Sequence, residues 1–223
     1  MGKRTRGERA GLTRTQVLDA ALALADRDGI GALTMRRLGA ELDVEAMTLY
    51  HYVPSKDALL DGLVERVFTQ ALPSPDPAAG PTDWRTLLRS YAVSLRAALL
   101  RHPGVLPLAA SRPAVTPATL DTVERGLSAL TTAGFPLGTA VHALNTLSLL
   151  VLGHTAAEAA RPAAPEGSAG SPAWLTRLDA DRYPLLTDAA RTGAGVDDAE
   201  RFAFAVDALL NGFAAALPGA DSS

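Results

Sequence analysis

Residues 33–56 read LTMRRLGAELDVEAMTLYHYVPSK, two short helices joined by a tight turn. Leu38, Leu42, Val44 and Leu49 fall where a helix-turn-helix needs apolar side chains to lock its two helices together. Gly39 is the small residue that lets the second helix approach the first. Asp43 takes the turn, a position that often demands a left-handed backbone. Asp is among the few residues other than glycine that visit that conformation tolerably. Thr34 suits the N-cap of the first helix, just before the basic pair Arg36 and Arg37.

The second helix then carries Ala46, Met47, Thr48, Tyr50, His51 and Tyr52 as an exposed set. Hydroxyls, a ring nitrogen and apolar atoms that can meet a thymine methyl are the groups that read a DNA groove. Lys56 follows at the start of the next helix, placed to hold a phosphate. The plain alternative is a helical hairpin with ordinary surface aromatics.

The wider composition narrows the choice. At 223 residues, with 48% hydrophobic and 20% charged, the chain has ample apolar content for a core. It contains no Cys, which excludes disulfides and thiolate chemistry and is compatible with a reducing cytoplasm. Residues 1–12 form a basic tail with Lys3, Arg4, Arg6 and Arg9 and no apolar signal-peptide core behind them. The formal net charge is −3, so a nucleic-acid binder of this composition concentrates its cations locally, in that tail and in Arg36 and Arg37. The longest apolar stretch, residues 144–152, is interrupted by polar residues and too short to span a bilayer.

In order, the chain predicts a first helix over 13–28, capped by Thr13 and striped by Val17, Ala20, Ala21 and Leu24. Gly29 and Gly31 end it. The helix-turn-helix follows, then a helix opening near Ser55 with Leu59, Leu60, Leu63, Val64 and Val67 on one face. The DNA-binding domain thus spans 13–72, and the Pro-rich run 73–81 reads as a linker. Beyond it, 82–223 is Ala/Leu-rich and helical. Helices are expected over 84–100, 116–132, 137–158, 181–191 and 197–217, with a short segment at 105–111 and a flexible loop over 158–172. No stretch alternates like a strand. The fold class is all-α: an N-terminal helix-turn-helix DNA-binding domain plus a larger helical domain.

Residues 12–68, and most specifically TLYHYVPSKDALL over 48–60, resemble the DNA-binding domain of the TetR family of bacterial repressors. More weakly, WRTLLRSYAVSLRAALLRHPG from Trp84, SRP from Ser111 and AGFPLGTAVHALN from Ala133 resemble the tetracycline-repressor branch. The resemblance implies that 82–223 is a ligand-binding and dimerisation domain, with a two-fold dimer built on the last helix and the apolar helix before the loop and a palindromic target. The alternative is that both helices are buried within one subunit. Small residues Ala203, Ala205, Gly212 and Ala214 leave room for such packing. It also implies roles. Thr34, Arg36, Thr48, Tyr50 and Lys56 would fix the DNA backbone and start the recognition helix, while Ala46, Met47 and Tyr52 would face base edges. Ala46 and Met47 replace the Gln and Pro of the tetracycline branch, so the operator should differ.

The branch binds a drug–magnesium chelate, and here the matching contacts depart from it. Leu108 stands at the metal-binding His, Leu72 at another His, Tyr91 at a drug-gripping Asn and Leu95 at a Phe. Tetracycline–magnesium is therefore not the expected ligand. What remains is a more apolar lining of Leu95, Leu108, Val141 and Leu144, with Tyr91, Ser111, Asn145 and Ser148 as polar contacts, suited to an organic molecule. No nucleophile elbow, phosphate loop or paired carboxylates are present, so no catalytic residue, cofactor or resident metal is expected. His154 and Glu158, four apart on one helix, lack an evident third ligand.

The function expected is a cytoplasmic, homodimeric repressor, not an enzyme. It would bind a double-stranded DNA operator, be released by a small organic effector, and have no membrane partner. The alternative is a ligand-binding helical carrier or enzyme that has lost specific DNA binding.

Overall fold

Thr13 opens the first helix with its hydroxyl accepting a hydrogen bond from the Gln16 amide, while Gln16 Oε1 accepts one from the Thr13 amide. This reciprocal cap fixes the start of α1 (Arg14–Asp28), which ends at Gly29 with φ +82°. The computed structural model describes residues 11–71, 83–112, 116–161 and 175–217. They divide into two compact units, Met1–Ala129 and Leu130–Ser223. No strand occurs among the described residues.

In the first unit α1 buries Val17, Leu18, Ala21, Leu22, Leu24 and Ala25, whereas Ala20, expected in the stripe, is only half-buried. A 3-10 turn leads to α2 (Met35–Glu41) and α3 (Ala46–Leu49). α4 (Lys56–Gln70) buries all five apolar residues expected of it, with Ser55 as N-cap. Ion pairs Arg14–Glu65 at 2.9 Å and Arg66–Asp19 at 2.7 Å join α1 to α4. α5 (Trp84–Arg101) buries Leu88, Ala92, Leu95 and Leu99, and a 3-10 turn at Pro103–Val105 connects it to α6 (Leu106–Ser111). The turn packs on α1 and α6 packs on α4, so the segment after α5 touches the DNA-binding helices at two places. α7 (Pro117–Thr132) begins at the expected Thr-Pro and runs into the second unit.

The second unit holds α8 (Leu137–Ala159), α9 (Pro184–Thr192) and α10 (Asp198–Ala215). α8 buries Ala140, Ala143, Leu147, Val151 and Thr155 on one side and packs against α10 through Phe202, Val206 and Leu210. It matches the helix expected over 137–158, and among the described residues it alone is, by length and composition, long and apolar enough to cross a membrane, although its longest apolar run, 144–152, is short. One such helix, singled out by length and composition only, does not indicate a membrane protein. Glu158 and Ala159 belong to α8, which corrects the expected start of the loop. The helix expected from 181 starts at Pro184, because a Pro is stable at a helix's first position and closes off the turn before it. The basic tail up to residue 10, the linker 73–81, Leu72 and most of the loop lie outside the described residues.

Candidate nucleic-acid interface

The close approach of α2 to α3 rests on Gly39. A Cβ there would lie 2.7 Å from the Val44 carbonyl oxygen and 3.2 Å from the Ala46 amide, both backbone atoms that cannot step aside. The chain turns the corner through Asp43 at φ +52°, the left-handed conformation its position requires. Leu38 and Leu49 close the contact with no exposure, while Leu42 and Val44 are half-buried at its rim.

Thr34 caps α2, its Oγ1 accepting from the Arg37 amide at 3.2 Å. A hydroxyl that accepts in this way keeps its own proton to donate outward. The two arginines that follow part company. Arg37 donates to Asp28 at 2.6 Å, and Asp28 also meets Arg27, which in turn holds Glu41 at 3.1 Å. The Arg27 hydrogen bond and charge hold the Glu41 carboxyl below its usual range. Arg37 is thus neutralised within the headpiece, and the expected basic pair reduces to Arg36, which is exposed and stands outside that network.

The helical part of α3 is shorter than expected. The Tyr52 and Val53 amides both donate to the Leu49 carbonyl at 2.9 Å, so Tyr50, His51 and Tyr52 lie on the turn that follows. Met47 is 70% and Tyr50 40% exposed, His51 is exposed, and Ala46, Thr48 and Tyr52 are half-buried. Val53, buried beneath them, anchors that turn. Lys56 is the first residue of α4, where the free amides of the helix start and its positive end add to the ammonium. The expected DNA set therefore comes together on the α2 start, α3 with its trailing turn, and the α4 start.

The expected ligand residues are divided between the units. On α5, Leu95 is fully buried and Tyr91 half-buried, and burial pushes the Tyr91 phenol up to about 12. On α6, Leu108 is half-buried and Ser111 exposed, its hydroxyl donating to the Pro107 carbonyl at 2.7 Å. On α8, Leu144 and Ser148 are half-buried, but Val141 and Asn145 stand on the exposed side. The Ser148 hydroxyl donates to the Leu144 carbonyl at 2.9 Å. His154 Nδ1 lies 3.8 Å from Glu158, and the His154 ring meets Phe202 edge-on at 5.1 Å. Among the described residues no group of three or more acidic or imidazole ligands is gathered.

Long-range contacts made by two further residues escaped the sequence. Arg112, after α6, donates to Asp61 at 2.7 Å and to Asp57 at 2.8 Å on α4. His102 Nδ1 lies 2.7 Å from Asp26 Oδ2 on α1. Partners 51, 55 and 76 residues away leave no local trace in a sequence.

A tight two-helix corner fixed by Gly39 and Asp43, with exposed reading residues and a cation at the next helix start, defines a helix-turn-helix DNA-binding protein. Residues 17–63 match the model described as bacterial regulatory proteins, tetR family, and residues 75–217 match the tetracyclin repressor-like C-terminal domain. The chain belongs to the TetR family, a family of DNA-binding transcriptional regulators rather than enzymes.

Among its relatives, the tetracycline repressor protein class D of Escherichia coli is 36% identical over 92% of this chain and 90% of its own length. The transcriptional repressor DrrR1 of Streptomyces coeruleorubidus is 32% identical over 93% of this chain and 79% of its own. Streptomyces coelicolor ActR, solved in complex with (S)-DNPA, superimposes with a TM-score of 0.73 at 27% identity, covering 94% of this chain and all of that one. BioQ, solved with its double-stranded DNA operator, gives 0.62 at 25% identity over 92% of this chain and 99% of its own. The protein is accordingly a TetR-family transcriptional repressor.

Proposed function

We propose that the protein acts in the cytoplasm as a homodimer that holds a palindromic operator and releases it on binding a small organic molecule other than a tetracycline–magnesium chelate. The observation that carries the DNA half is the α2–α3 corner with Met47 and Tyr50 exposed beside Lys56. Thr34, Arg36, Thr48, Tyr50 and Lys56 fix the phosphate backbone, and Ala46, Met47 and Tyr52 meet base edges. BioQ, solved on its operator, supports this assignment by likeness.

The dimer is supported by an uncovered apolar groove of about 620 Å³ between α8 and α10, lined by Thr146, Leu149, Leu150, Ala205, Ala208 and Leu209. Leu149 in the groove is 71% exposed and Phe204, elsewhere on α10, is 76% exposed, apolar surface that a second copy would remove from water. A two-fold pairing of these helices gives a four-helix interface and two recognition helices in symmetric register.

For the effector, Tyr91 on α5 offers a phenol that stays protonated at neutral pH, with the apolar Leu95 on the same helix and Leu108 on α6 as further proposed contacts. Ser111 on α6 is a further proposed contact; on α8 the proposed contacts are the half-buried Leu144 and Ser148 and the exposed Val141 and Asn145. ActR was solved in complex with (S)-DNPA and with actinorhodin, which supports an organic effector here. Leu108 in place of a metal-binding imidazole argues against a chelate. Calorimetry with micromolar tetracycline and magnesium should show no tight complex, and finding one overturns that part. Operator release is then screened by fluorescence anisotropy against a panel of organic compounds. If no compound in such a panel lowers operator affinity, the effector half of the proposal fails.

A further inference from the structure

The segment between α5 and α6 is fastened to the last turn of α1 by two independent features. His102 Nδ1 lies 2.7 Å from Asp26 Oδ2, with both side chains largely buried at 18% and 24% exposure. A carboxylate only accepts, so Nδ1 carries the proton and donates. The other oxygen, Asp26 Oδ1, is buried and has no hydrogen-bond partner, so His102 is the group that satisfies this carboxylate. Two residues on, Gly104 sits so close to α1 that a Cβ would lie 2.8 Å from the Ala25 carbonyl oxygen and 3.1 Å from its carbon. Gly104 has an ordinary backbone conformation, so close approach to α1, not turn geometry, is what calls for glycine. Val105, with no exposure, completes the seat.

The position of this joint gives it meaning. α1 packs on both α2 and α4, so whatever fixes its C-terminal turn fixes the helices that read DNA. The joint ties that turn to α5 and α6, outside the headpiece. Ten residues after His102, Arg112 makes the second tie, to the start of α4. A body held at two points can neither slide nor swing about a single contact.

We propose that Asp26 and His102, seated by the Gly104–Ala25 approach, form a positioning pair that sets the tilt of the DNA-reading helices and so the half-site spacing the repressor accepts. The pair touches no base or phosphate. It acts through α1 on α2 and α3, and the spacing consequence rests on the dimeric reading above.

The test measures affinity of the full-length protein for the selected operator and for versions with one base pair added or removed between half-sites. One base pair moves a half-site by about 3 Å and rotates it by roughly a tenth of a turn. The wild-type protein should lose roughly tenfold or more on either change, the scale of one charge-assisted hydrogen bond. His102→Ala and Asp26→Ala should narrow that discrimination to within about threefold, and the double variant should go no further, as a shared contact requires. His102→Asn, whose amide can donate from the place of Nδ1, should restore it. Binding is measured below each variant's melting transition, and Asp26→Asn stands in where an alanine variant does not fold. A merely structural role would weaken all spacings by one factor, and that outcome, or unchanged discrimination, overturns the proposal. A wild-type protein indifferent to spacing overturns the dimeric reading itself and this inference with it.

Discussion

Arg112 reaches from the end of α6 to Asp61 in the middle of α4, Nη1 to Oδ1 at 2.7 Å, and its other nitrogen takes Asp57 one turn earlier at 2.8 Å. Hydrogen bonds to the two carboxylates, Asp57 before Asp61, raise the already high pKa of the guanidinium, so it remains a cation at any working pH. α4 begins with Lys56, so under the proposed function a displacement of α6 by an effector would be passed to the end of α4 assigned to the phosphates. Arg112→Ala should leave operator affinity within about threefold while reducing effector-induced release by roughly fivefold or more, a typical coupling size. Arg112→Lys, with one ammonium in place of the fork, should restore little. The ratio of operator affinities with and without effector reads this directly. A ratio unchanged in Arg112→Ala removes the link from the account.

Lys56 is poorly placed for stability. A cation at the first position of a helix opposes the helix dipole, and Asp57 beside it is what the helix start prefers. Lys56→Ala should therefore melt no lower than the wild-type protein and yet bind operator more weakly, with its salt slope reduced by about one. Tyr50→Phe should weaken binding across operator sequences alike. Unaltered affinity in both variants means that the headpiece docks differently.

Much of that headpiece was legible in the sequence because its rules are local. Thr13, Thr34 and Ser55 cap helices three residues long in their reach, Gly39 and Asp43 answer to steric demands of a single corner, and the apolar stripe of α4 follows helical period. The short α3 was not legible, since nothing between Leu49 and Pro54 marks a stop and the turn is held by two amides sharing one carbonyl. Arg37 looked like half of a basic patch, but a 3-10 turn folds it back on Asp28. Among the ligand candidates, period alone could not separate the buried side of α8 from Val141 and Asn145, because apolar residues occupy nearly every side of that helix.

An apolar side chain left exposed on a helix of a monomer contributes nothing to that monomer's core. Leu149→Glu combined with Phe204→Glu should thus preserve the helical content of each chain while shifting sedimentation from dimer to monomer. Operator affinity should fall roughly a hundredfold or more, since two linked half-site contacts become one. A dimer that persists with both glutamates places the interface elsewhere.

The Tyr91 phenol, raised by burial from 10.0 to about 12, gives stability a definite alkaline signature. The folded state holds this proton more tightly than the unfolded chain, so its contribution is complete below pH 10. It is lost as pH rises from 10 through the folded value near 12. Tyr91→Phe should flatten the decline in melting temperature across that window and leave the curve below it unchanged in shape. An equally steep decline in the variant assigns the alkaline loss to other groups. The same neutral phenol is the donor proposed for the effector, so Tyr91→Phe should also weaken effector-induced release by roughly threefold to tenfold, the worth of one hydrogen bond.

Selection of bound sequences from a random duplex library by the purified full-length protein, at near-physiological salt, tests the central claim most directly. The account predicts a palindrome whose half-sites lie about one helical turn or more apart, the imprint of two symmetric recognition helices. Enrichment of no sequence, with only salt-sensitive binding to any duplex, would contradict it and leave the α2–α3 corner as a fold without its function.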